Sequence, residues 1–297
     1  MALNRTIAVI GATGTVGSAT VKTLSANYAD QLKIVAGVRD PGKAQSLSSL
    51  PGVSVVEANM NKSDELAITL KNVDYAFIVT PSTEDRALLV EAATEAARKA
   101  GVKFALVVSV TTADLSDTIF GKQFSLLEGS VSKVGIAHCF LRLPMFIDNN
   151  AVVNREGIRE KGLYIGPLDP DKYCTTATVA NIAEAAAAIL ADPLKHYGKT
   201  YNLVSNHYTH NQLASYFAEA LDKEVKYFRM SYEDAMKGFA QFGFPEWQAN
   251  GILELFRLID AGSPATNVAD RNDYERITGQ KPTSAKEWVQ QNVGVFQ

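Results

Sequence analysis

Cysteine is scarce in this sequence of 297 residues, which holds only Cys139 and Cys174. The two lie far apart, outside the short spacings typical of metal sites and redox motifs, so we expect buried or incidental thiols. Long apolar runs are also missing, and no segment approaches the ~18 residues that a membrane span needs. Residues 1–5 lead straight into an apolar segment with no signal peptide, so a cytoplasmic protein is expected, with access to the nucleus left open.

No cluster of basic residues occurs, and the 29 lysines and arginines nearly balance the 32 acidic residues. The formal net charge of −3 gives no electrostatic basis for direct nucleic-acid binding. Internal repeats and low-complexity linkers are absent as well. Hydrophobic residues make up 46% of the chain, which is enough to bury one large core or two modest ones.

One stretch near the amino end joins an apolar strand pattern to a set of glycines. Residues 6–10 are mostly apolar, and Gly11, Gly14 and Gly17 follow before apolar residues resume at helical spacing. This pattern predicts a buried strand that turns tightly into a helix. Gly11 would permit the turn, Gly14 would let a pyrophosphate approach the backbone, and Gly17 would let the helix pack on the strand. The alternative is a glycine-rich loop without a ligand.

Strand and helix patterns alternate through the first half of the chain. Buried strands are predicted at 33–38, 53–57, 75–79 and 104–109, and helices at 63–71 and 85–100. Consecutive strands joined by crossover helices lie parallel. The sequence therefore predicts an α/β fold with a doubly wound parallel Rossmann sheet, whose ligand binds at the carboxyl ends of the strands.

The second predicted strand ends in Arg39, Asp40 and Lys43, where a dinucleotide-binding fold meets the adenosine ribose. Arg39 and Lys43 suit a 2′-phosphate, so NADP(H) is the predicted cofactor in preference to NAD. Asp40 offers a competing interpretation, because a carboxylate suits a 2′-hydroxyl, and a solvated loop is the plain alternative. After the third strand, Asn59 is either a contact for the adenine or a turn residue.

Several separated motifs resemble one family. The Gly-Ala-Thr-Gly-x-x-Gly run at 11–17 and the Val-Arg-Asp-Pro run at 38–41 resemble atypical short-chain dehydrogenase/reductases. The run Leu-Arg-Leu-Pro-Met-Phe-Ile-Asp-Asn at 141–149 narrows the resemblance to the NmrA-like branch. Phe-Pro-Glu-Trp at 244–247, Ile-Thr-Gly-Gln-Lys-Pro at 277–282 and Trp288 follow in the order seen near the end of that family. The resemblance covers nearly the whole chain.

The resemblance implies an NADP(H) site whose residues carry over one by one. The pyrophosphate would contact Gly11, Thr13, Gly14, Thr15 and Val16, and the 2′-phosphate would contact Arg39 and Lys43. The adenine would contact Asn59, the middle of the cofactor Thr80 and Pro81, and the nicotinamide Ser109, Val110, Pro144 and Phe146. Pro144 also fixes the backbone where the sixth strand leaves the sheet. For Phe146, core packing is the alternative.

The same resemblance locates a departure from ordinary dehydrogenases. Such enzymes carry a tyrosine, and a lysine four residues later, on the helix after the fifth strand, where the phenol donates a proton. The two positions fall on Phe120 and Phe124, which cannot transfer protons. Lys122 is the nearest substitute, but two residues turn a helical side chain ~200° away from the site. The missing pair argues against alcohol or carbonyl reduction and leaves hydride transfer to a quinone, because solvent can supply the protons.

The second half of the chain predicts a smaller, mostly helical cap domain. Its predicted elements are helices at 151–161, 210–221, 231–241, 245–261 and 287–292, a strand and turn at 162–167, and a strand at 225–228. An alanine-rich helix at 179–190 and a strand at 200–204 are assigned to the main sheet. The predicted NADP-binding Rossmann domain is therefore 1–150 with about 175–204, and the substrate or partner cap is 151–174 with 205–297.

Histidines and aromatic residues of this half invite functional interpretations. His207 and His210 resemble half of a metal site, but no further ligand set accompanies them, so no metal is predicted and they are expected near a helix entry. His196 is expected in an exposed turn and His138 in the sixth strand, and none receives a catalytic role. One aromatic set is either an apolar lid over a planar substrate or cap-core packing: Phe239, Phe242, Phe244, Trp247 and Phe256.

Two functions remain open at this point. The first is an NADPH-dependent oxidoreductase that reduces a quinone or another conjugated acceptor, stacked between Phe146 and the cap. The second, implied by the resemblance to NmrA-like regulators, is a non-catalytic NADP(H) redox sensor that presents its cap to a regulatory protein partner. The missing tyrosine and lysine favour sensing, whereas an aromatic-lined cleft would favour catalysis. The sequence identifies no catalytic residue.

Overall fold

The computed structural model describes residues 5–297, so the predicted lead into the first strand at residues 1–4 lies outside the described part. The strands in chain order are β1 (Arg5–Ile10), β2 (Leu32–Val38), β3 (Val53–Glu57), β4 (Tyr75–Ile78), β5 (Phe104–Val110), β6 (His138–Leu143), β7 (Met145–Phe146), β8 (Leu163–Gly166), β9 (Cys174–Ala177), β10 (Thr200–Asn202), β11 (Asn206–Tyr208) and β12 (Lys226–Arg229). The helices in chain order are α1 (Thr15–Tyr28), α2 (Gln45–Ser48), α3 (Ser63–Thr69), α4 (Arg86–Lys99), α5 (Ile119–Val134), α6 (Asn150–Val153), α7 (Arg155–Lys161), α8 (Val179–Ala191), α9 (His210–Leu221), α10 (Tyr232–Gln241), α11 (Glu246–Asp260), α12 (Asp273–Thr278) and α13 (Ala285–Gln291).

The main sheet has seven strands in the order β10-β6-β5-β4-β1-β2-β3, and all of its pairings are parallel. The chain builds outward from β1 to β3 on one side and from β4 to β6 on the other. The strand order therefore reverses between β1 and β4, where a crevice opens at the carboxyl ends of the strands. The predicted doubly wound Rossmann sheet is confirmed, including the late strand β10 beside β6.

Helices cover both faces of this sheet. Helices α1 and α8 pack against each other on one face, and α3, α4 and α5 pack on the other. Because both faces are buried, the strands are nearly continuous in apolar residues: Ile7, Ala8, Val9 and Ile10 of β1 are each 1% exposed or less. The carboxyl ends of these parallel strands lie along one edge of the sheet, where the candidate site lies.

Residues of the carboxyl half form a hydrophobic core apart from the two cores that flank the main sheet, and the part of the chain around it is called the cap below. Tyr164, Phe217 and Trp288 lie in this core, which is formed mainly by α7, α9, α11 and α13. Two small sheets support it, β11-β9-β7 and β12-β8. The sequence analysis predicts β12 and the strand at β8 but neither β9 nor β11.

One segment of the predicted cap lies with the sheet. Helix α12 packs against α8, and Tyr274 is buried in the sheet's core with its hydroxyl donating to Glu184 at 2.5 Å. The chain thus returns from the cap to the Rossmann layer before ending in α13.

His196 corrects an expectation of the sequence analysis. Its side chain is buried rather than in an exposed turn, because the turn at Pro193–His196 folds back onto β10 and Nδ1 meets the Tyr201 hydroxyl at 2.9 Å. Cys139 and Cys174 are both buried and unpaired, and burial raises the pKa of each thiol to about 12. Neither thiol is therefore a nucleophile at neutral pH.

None of the helices within residues 5–297 combines the length and apolar content that a bilayer crossing requires. Over the same residues, no three or more His, Cys, Asp or Glu side chains converge as a metal site would require.

Candidate active site

Gly11 stands where β1 leaves the sheet. Its φ of +84° is one that an L side chain rarely adopts, and a Cβ there would lie 3.2 Å from the carbonyl oxygen of Val79. Its N–H donates to the carbonyl of Gly37 at 3.0 Å, which ties the turn to β2. The chain therefore passes from β1 towards α1 through a conformation that only glycine adopts without strain.

The other two glycines of this turn differ in what surrounds them. A Cβ at Gly17 would lie 2.3 Å from the carbonyl oxygen of Gly11, so α1 approaches the turn this closely only because residue 17 is glycine. A Cβ at Gly14 would meet only that same oxygen, at 3.4 Å, which is an ordinary contact. Gly17 thus serves the protein's own packing, whereas Gly14 leaves open space on its far side.

The amino end of α1 leaves backbone donors unpaired. Its first hydrogen bond runs from the Ser18 N–H to the Gly14 carbonyl at 2.8 Å, so the N–H groups of Thr15, Val16 and Gly17 have no acceptor within the helix. Thr13 and Thr15 are exposed, and the Val16 side chain is buried beneath them. Unpaired N–H groups at the positive end of a helix dipole form an anion-binding site.

The charged residues at the end of β2 differ in the contacts that they make within the protein. The Asp40 carboxylate accepts from the Gly42 N–H at 3.0 Å and lies 3.6 Å from the Lys43 ammonium. Arg39 is exposed and forms no ion pair among residues 5–297. Because Asp40 has partners within its own loop, the guanidinium of Arg39 is the group free to meet a ligand here.

Asn59 and Thr80 also lie at the carboxyl edge of the sheet, and both make local hydrogen bonds. The Asn59 Oδ1 accepts from the Asn61 N–H at 3.0 Å, which is the turn role that the sequence analysis left open. The Thr80 hydroxyl donates to the Val108 carbonyl at 2.7 Å and joins β4 to β5, and half-buried Pro81 follows it. The Thr80 hydrogen bond thus links β4 to β5 at this edge of the sheet.

Ser109 belongs to a buried polar network. Its hydroxyl donates to the Glu128 carboxylate at 2.5 Å, and Arg142 donates to the same carboxylate at 2.7 and 2.8 Å. Arg142 also makes a bidentate pair with Asp114, whose hydrogen bonds lower the pKa of that carboxyl below its ordinary value. The network joins β5, β6 and α5, and it turns the Ser109 hydroxyl towards α5.

A cleft opens between this edge of the sheet and the cap, with a cavity volume of about 180 Å³. Its walls come from the segments after β4, β5 and β6, from α4 and α5, and from α11 of the cap. The lining residues that bear on its chemistry are Ser82, Arg86, Val110, Thr111, Thr112, Phe120, Phe124, Pro144, Met145 and Gln248. Most of this surface is apolar, as expected of a site for a planar organic molecule.

Phe120 and Phe124 face this cleft, where the proton-donating pair of ordinary dehydrogenases would stand. Lys122 is exposed and does not line the cleft, so the structure offers no substitute for the missing lysine at that position. Helix α11 approaches the Phe120 ring closely at Gly251, where a Cβ would lie 2.8 Å from the ring. Glu254, one turn further along α11, accepts from the Ile119 N–H at 2.7 Å and ties the cap to the start of α5.

Four residues were predicted to flank a nicotinamide, and two of them line the cleft. Val110 and Pro144 line the cleft. The Ser109 hydroxyl is taken by Glu128, and Phe146 packs against the core of the sheet, which is its alternative interpretation. The cap aromatics also divide: Trp247 meets Phe120 edge-on at 6.3 Å, whereas Phe239 packs with other rings of the cap.

Arg86 is the lining residue that the sequence analysis missed. It is only 6% exposed, and its guanidinium lies over Phe124, Trp247 and Phe120 at 4.9, 5.3 and 5.7 Å from the ring centroids. A sequence signal did exist: Arg86 is in phase with Val90, Ala93 and Ala97 on the buried face of α4. A cation on an apolar helical stripe predicts either a buried pair or a ligand contact.

Histidines take no part in the cleft. His207 Nε2 meets Asn267 Oδ1 at 2.9 Å, and His210 Nδ1 meets the hydroxyl of Tyr164 inside the cap core. His207 lies in β11 and His210 is the first residue of α9, close to the helix entry expected for them.

The model of the NmrA-like family matches residues 3–289. This chain belongs to the NmrA-like family. Among curated relatives, it is 28% identical to the NAD(P)H azoreductase of Xenophilus azovorans, over 98% of this chain and 99% of the relative. It is also 28% identical to quinone oxidoreductase 2 of Escherichia coli (strain K12), over 95% of this chain and 97% of the relative.

Solved structures with a similar fold include two reductases complexed with NADPH or NADP(H). A triphenylmethane reductase from Citrobacter sp., complexed with NADP(H), superimposes with a TM-score of 0.82 at 28% identity, covering 96% of this chain and 99% of that one. An NADPH-dependent quinone oxidoreductase from Escherichia coli, complexed with NADPH, gives 0.83 at 27% identity, covering 97% and 99%. The negative transcriptional regulator NmrA, in complex with NAD, gives 0.80 over 97% of this chain and 94% of that one, but its 17% identity shows a shared fold alone.

Two motifs of the NmrA-like resemblance meet in space. The Asp148 carboxylate accepts from the Val179 N–H at 2.9 Å and from the Trp288 indole N–H at 3.3 Å. Asp148 therefore fixes the start of α8 and the position of α13 relative to the segment that leaves β6. Residues distant in the sequence thus hold the sheet and the cap together next to the cleft.

Proposed function

We propose that this protein is an NADPH-dependent oxidoreductase that reduces a planar conjugated acceptor of the quinone class. The observation that carries the proposal is the cleft between the sheet edge and the cap, in which Phe120 and Phe124 replace the usual proton donors. Val110 at the end of β5 and Pro144 directly after β6 are among the residues that line it. An apolar slot there suits a flat acceptor.

The residues present fit an NADP(H) cofactor. The open side of Gly14 and the unpaired N–H groups of Thr15, Val16 and Gly17 suit the pyrophosphate, and the free guanidinium of Arg39 suits a 2′-phosphate. We assign Gly11, Thr13, Lys43, Asn59, Thr80 and Pro81 to the same site on their position at this edge of the sheet. When bound, the cofactor supplies a hydride to the acceptor.

The acceptor class follows from what the lining residues lack and provide. A hydride that adds to an isolated carbonyl leaves a localised alkoxide, which needs a positioned acid such as tyrosine. A hydride that adds to a quinone leaves a delocalised oxyanion, which solvent can protonate afterwards. The phenylalanine side chains can stack on such an acceptor but cannot protonate it.

The relatives support this choice of acceptor. Three of the relatives named above, each more than 25% identical, have names that refer to azo, quinone and triphenylmethane substrates, all of which are conjugated. The alternative function, a redox sensor with a protein partner, has the missing tyrosine and lysine in its favour, but the regulator among the solved structures is 17% identical and shares the fold alone. Reduction of a conjugated acceptor is therefore the better-supported proposal.

The test follows the loss of NADPH absorbance with a panel of benzoquinones and naphthoquinones. We expect turnover by the unaltered protein and a loss of about tenfold or more in NADPH affinity for Gly14→Ala, because the added methyl group points into the open side of the turn. Gly129→Ala is the matched control, since Gly129 lies on the exposed side of α5 and an added Cβ there would have no atom within 4 Å.

The outcomes separate binding from catalysis. NADPH binding without oxidation by any quinone would contradict the oxidoreductase and return the sensor function to consideration. Equal NADPH affinity for the unaltered protein and Gly14→Ala would contradict the assigned pyrophosphate site. Thermal unfolding of both glycine variants checks that each remains folded.

A further inference from the structure

Arg86 reaches the cleft with donors that the protein leaves unused. Its Nε donates to the Thr83 carbonyl at 2.9 Å. Among residues 5–297, the two terminal nitrogens make no hydrogen bond, and no carboxylate lies within ion-pair distance of the guanidinium. A side chain that lines the cavity and is 6% exposed therefore keeps its strongest donors for something inside the cleft.

The position of Arg86 makes this arrangement costly for the folded protein. Burial lowers the pKa of the guanidinium to about 10, so the group still carries its charge at neutral pH. Arg86 is also the first residue of α4, where the helix dipole disfavours a cation. Its acidic neighbours, Glu84 and Asp85, are exposed and do not pair with it. Buried cations without an acidic partner are rare, because desolvation is not offset by a counter-charge.

Three aromatic rings offset part of that cost. Phe124, Trp247 and Phe120 each present a ring to the guanidinium within 6 Å, and such contacts stabilise a desolvated cation. A guanidinium donates hydrogen bonds in its own plane, however, so rings stacked on it leave the N–H groups unsatisfied. The three rings hold the guanidinium in place but do not neutralise its charge.

We propose that Arg86 binds an anionic substituent, a carboxylate or a sulfonate, on an aromatic acceptor held in the cleft. The inference rests on the proposed function for its choice of an acceptor as the occupant. The planar fork of an arginine matches the two oxygens of either group, and the rings of Phe120 and Phe124 cover the aromatic body. The substrate class thereby narrows to conjugated aromatic acids.

Binding of molecules that cannot be reduced tests the inference without turnover. Titration calorimetry compares naphthoate with naphthol, two ligands of equal ring size that differ in charge. We expect the unaltered protein to prefer naphthoate, and Arg86→Met to weaken naphthoate by about 10- to 100-fold, the usual effect of losing a hydrogen bond between charged groups. Naphthol binding should change by less than about threefold, because methionine keeps much of the apolar stem.

Arg98→Met is the matched control, since Arg98 lies on the same helix but is exposed and away from the cleft. We expect it to bind both ligands as the unaltered protein does. Arg86→Lys keeps the charge without the fork and should recover only part of the naphthoate affinity. Thermal unfolding shows whether each variant is folded, and the ligand preference of the unaltered protein tests the inference even where a variant is not.

Turnover and cofactor binding separate the competing roles. Arg86→Met should raise KM for naphthoquinone sulfonate by a larger factor than KM for naphthoquinone, and the Kd for NADPH should stay near that of the unaltered protein. Equal losses for charged and neutral ligands would overturn the inference and make Arg86 a structural link between α4 and α11. A weakened NADPH Kd would instead assign Arg86 to the cofactor. If no acceptor is reduced, the proposed function fails, while the naphthoate comparison still decides the role of Arg86.

Discussion

His210 predicts how the cap responds to acid. It is the first residue of α9, it is 8% exposed, and its ring stacks on Tyr227 at 5.0 Å between centroids. Its Nδ1 pairs with the Tyr164 hydroxyl, and its Nε2 has no partner among residues 5–297. Burial lowers the pKa of this imidazole from 6.5 to about 4, although the charge of Asp260 opposes the shift. The folded cap therefore holds His210 neutral.

The sign of the effect follows from proton binding. Between pH 6.5 and 4 the unfolded chain binds a proton at His210 that the folded chain does not, so the free energy of unfolding falls as the pH falls. Treating His210 as one site with a different pKa in the folded and the unfolded chain, we expect a loss of about 1 kcal/mol between pH 7.5 and pH 5.5. Below pH 4 the loss levels off at about 3 kcal/mol, because both states are then protonated.

Urea denaturation at three pH values checks this prediction, with Trp288 reporting from the same core. His210→Phe keeps a ring against Tyr227, and His210→Asn keeps a polar atom near Tyr164, but neither titrates. Both variants are expected to be less stable than the unaltered protein at pH 7.5 and to lose about 1 kcal/mol less on acidification to pH 5.5. Because His196 and His207 also have lowered pKa values, only the difference between proteins isolates His210. If the stability of both variants falls with pH as steeply as that of the unaltered protein, the reasoning is refuted.

Two further predictions concern the cofactor and the cap. Arg39→Ala should weaken the binding of NADPH by about 10- to 100-fold and change the affinity for NADH by less than about threefold. Lys43→Ala should have a smaller effect on NADPH binding, because Lys43 already pairs with Asp40. Equal effects of Arg39→Ala on the two cofactors in a fluorescence titration would show that Arg39 does not contact the 2′-phosphate. Glu254→Ala should lower the free energy of unfolding by about 1–2 kcal/mol and raise KM for acceptors, because it leaves the Ile119 N–H at the start of α5 without its carboxylate. Glu254→Gln, which keeps an oxygen at that position, should lose less in both urea unfolding and KM.

Local sequence patterns were enough to predict most of the fold. The turn at Gly11 and the close approach at Gly17 depend on residues within one strand and one helix, so their spacing was enough to predict them. The parallel strands were predictable for the same reason, because burial on both faces makes each strand an apolar run. Strands β9 and β11 were not, since they exist only by pairing with each other and with β7 across long stretches of chain.

The candidate site was predictable only where a single segment defines it. Arg39 follows a strand directly, and the sequence places it correctly at the sheet edge. Ser109 stays a predicted contact of the nicotinamide, and its hydroxyl bonds Glu128, nineteen residues away on α5, a partner that no local pattern reveals. Arg86 was missed because its three rings come from two other helices, and only the folded chain brings them together.

Two features of the cleft, the phenylalanines at positions 120 and 124 and the buried charge of Arg86, have one physical consequence when taken together. Under the proposed function, Phe120 and Phe124 leave no tyrosine or lysine to donate a proton where an acceptor would react, so the basicity of a reacting oxygen should contribute little to the choice of acceptor. Discrimination must then come from groups away from the reacting atoms, and Arg86 is the charged side chain among those that line the cavity. A charge held in a low-dielectric aromatic cage acts more strongly on a ligand than the same charge at the surface. Under the proposed function, acceptors should therefore rank by the presence and position of an anionic substituent rather than by the identity of the reducible group.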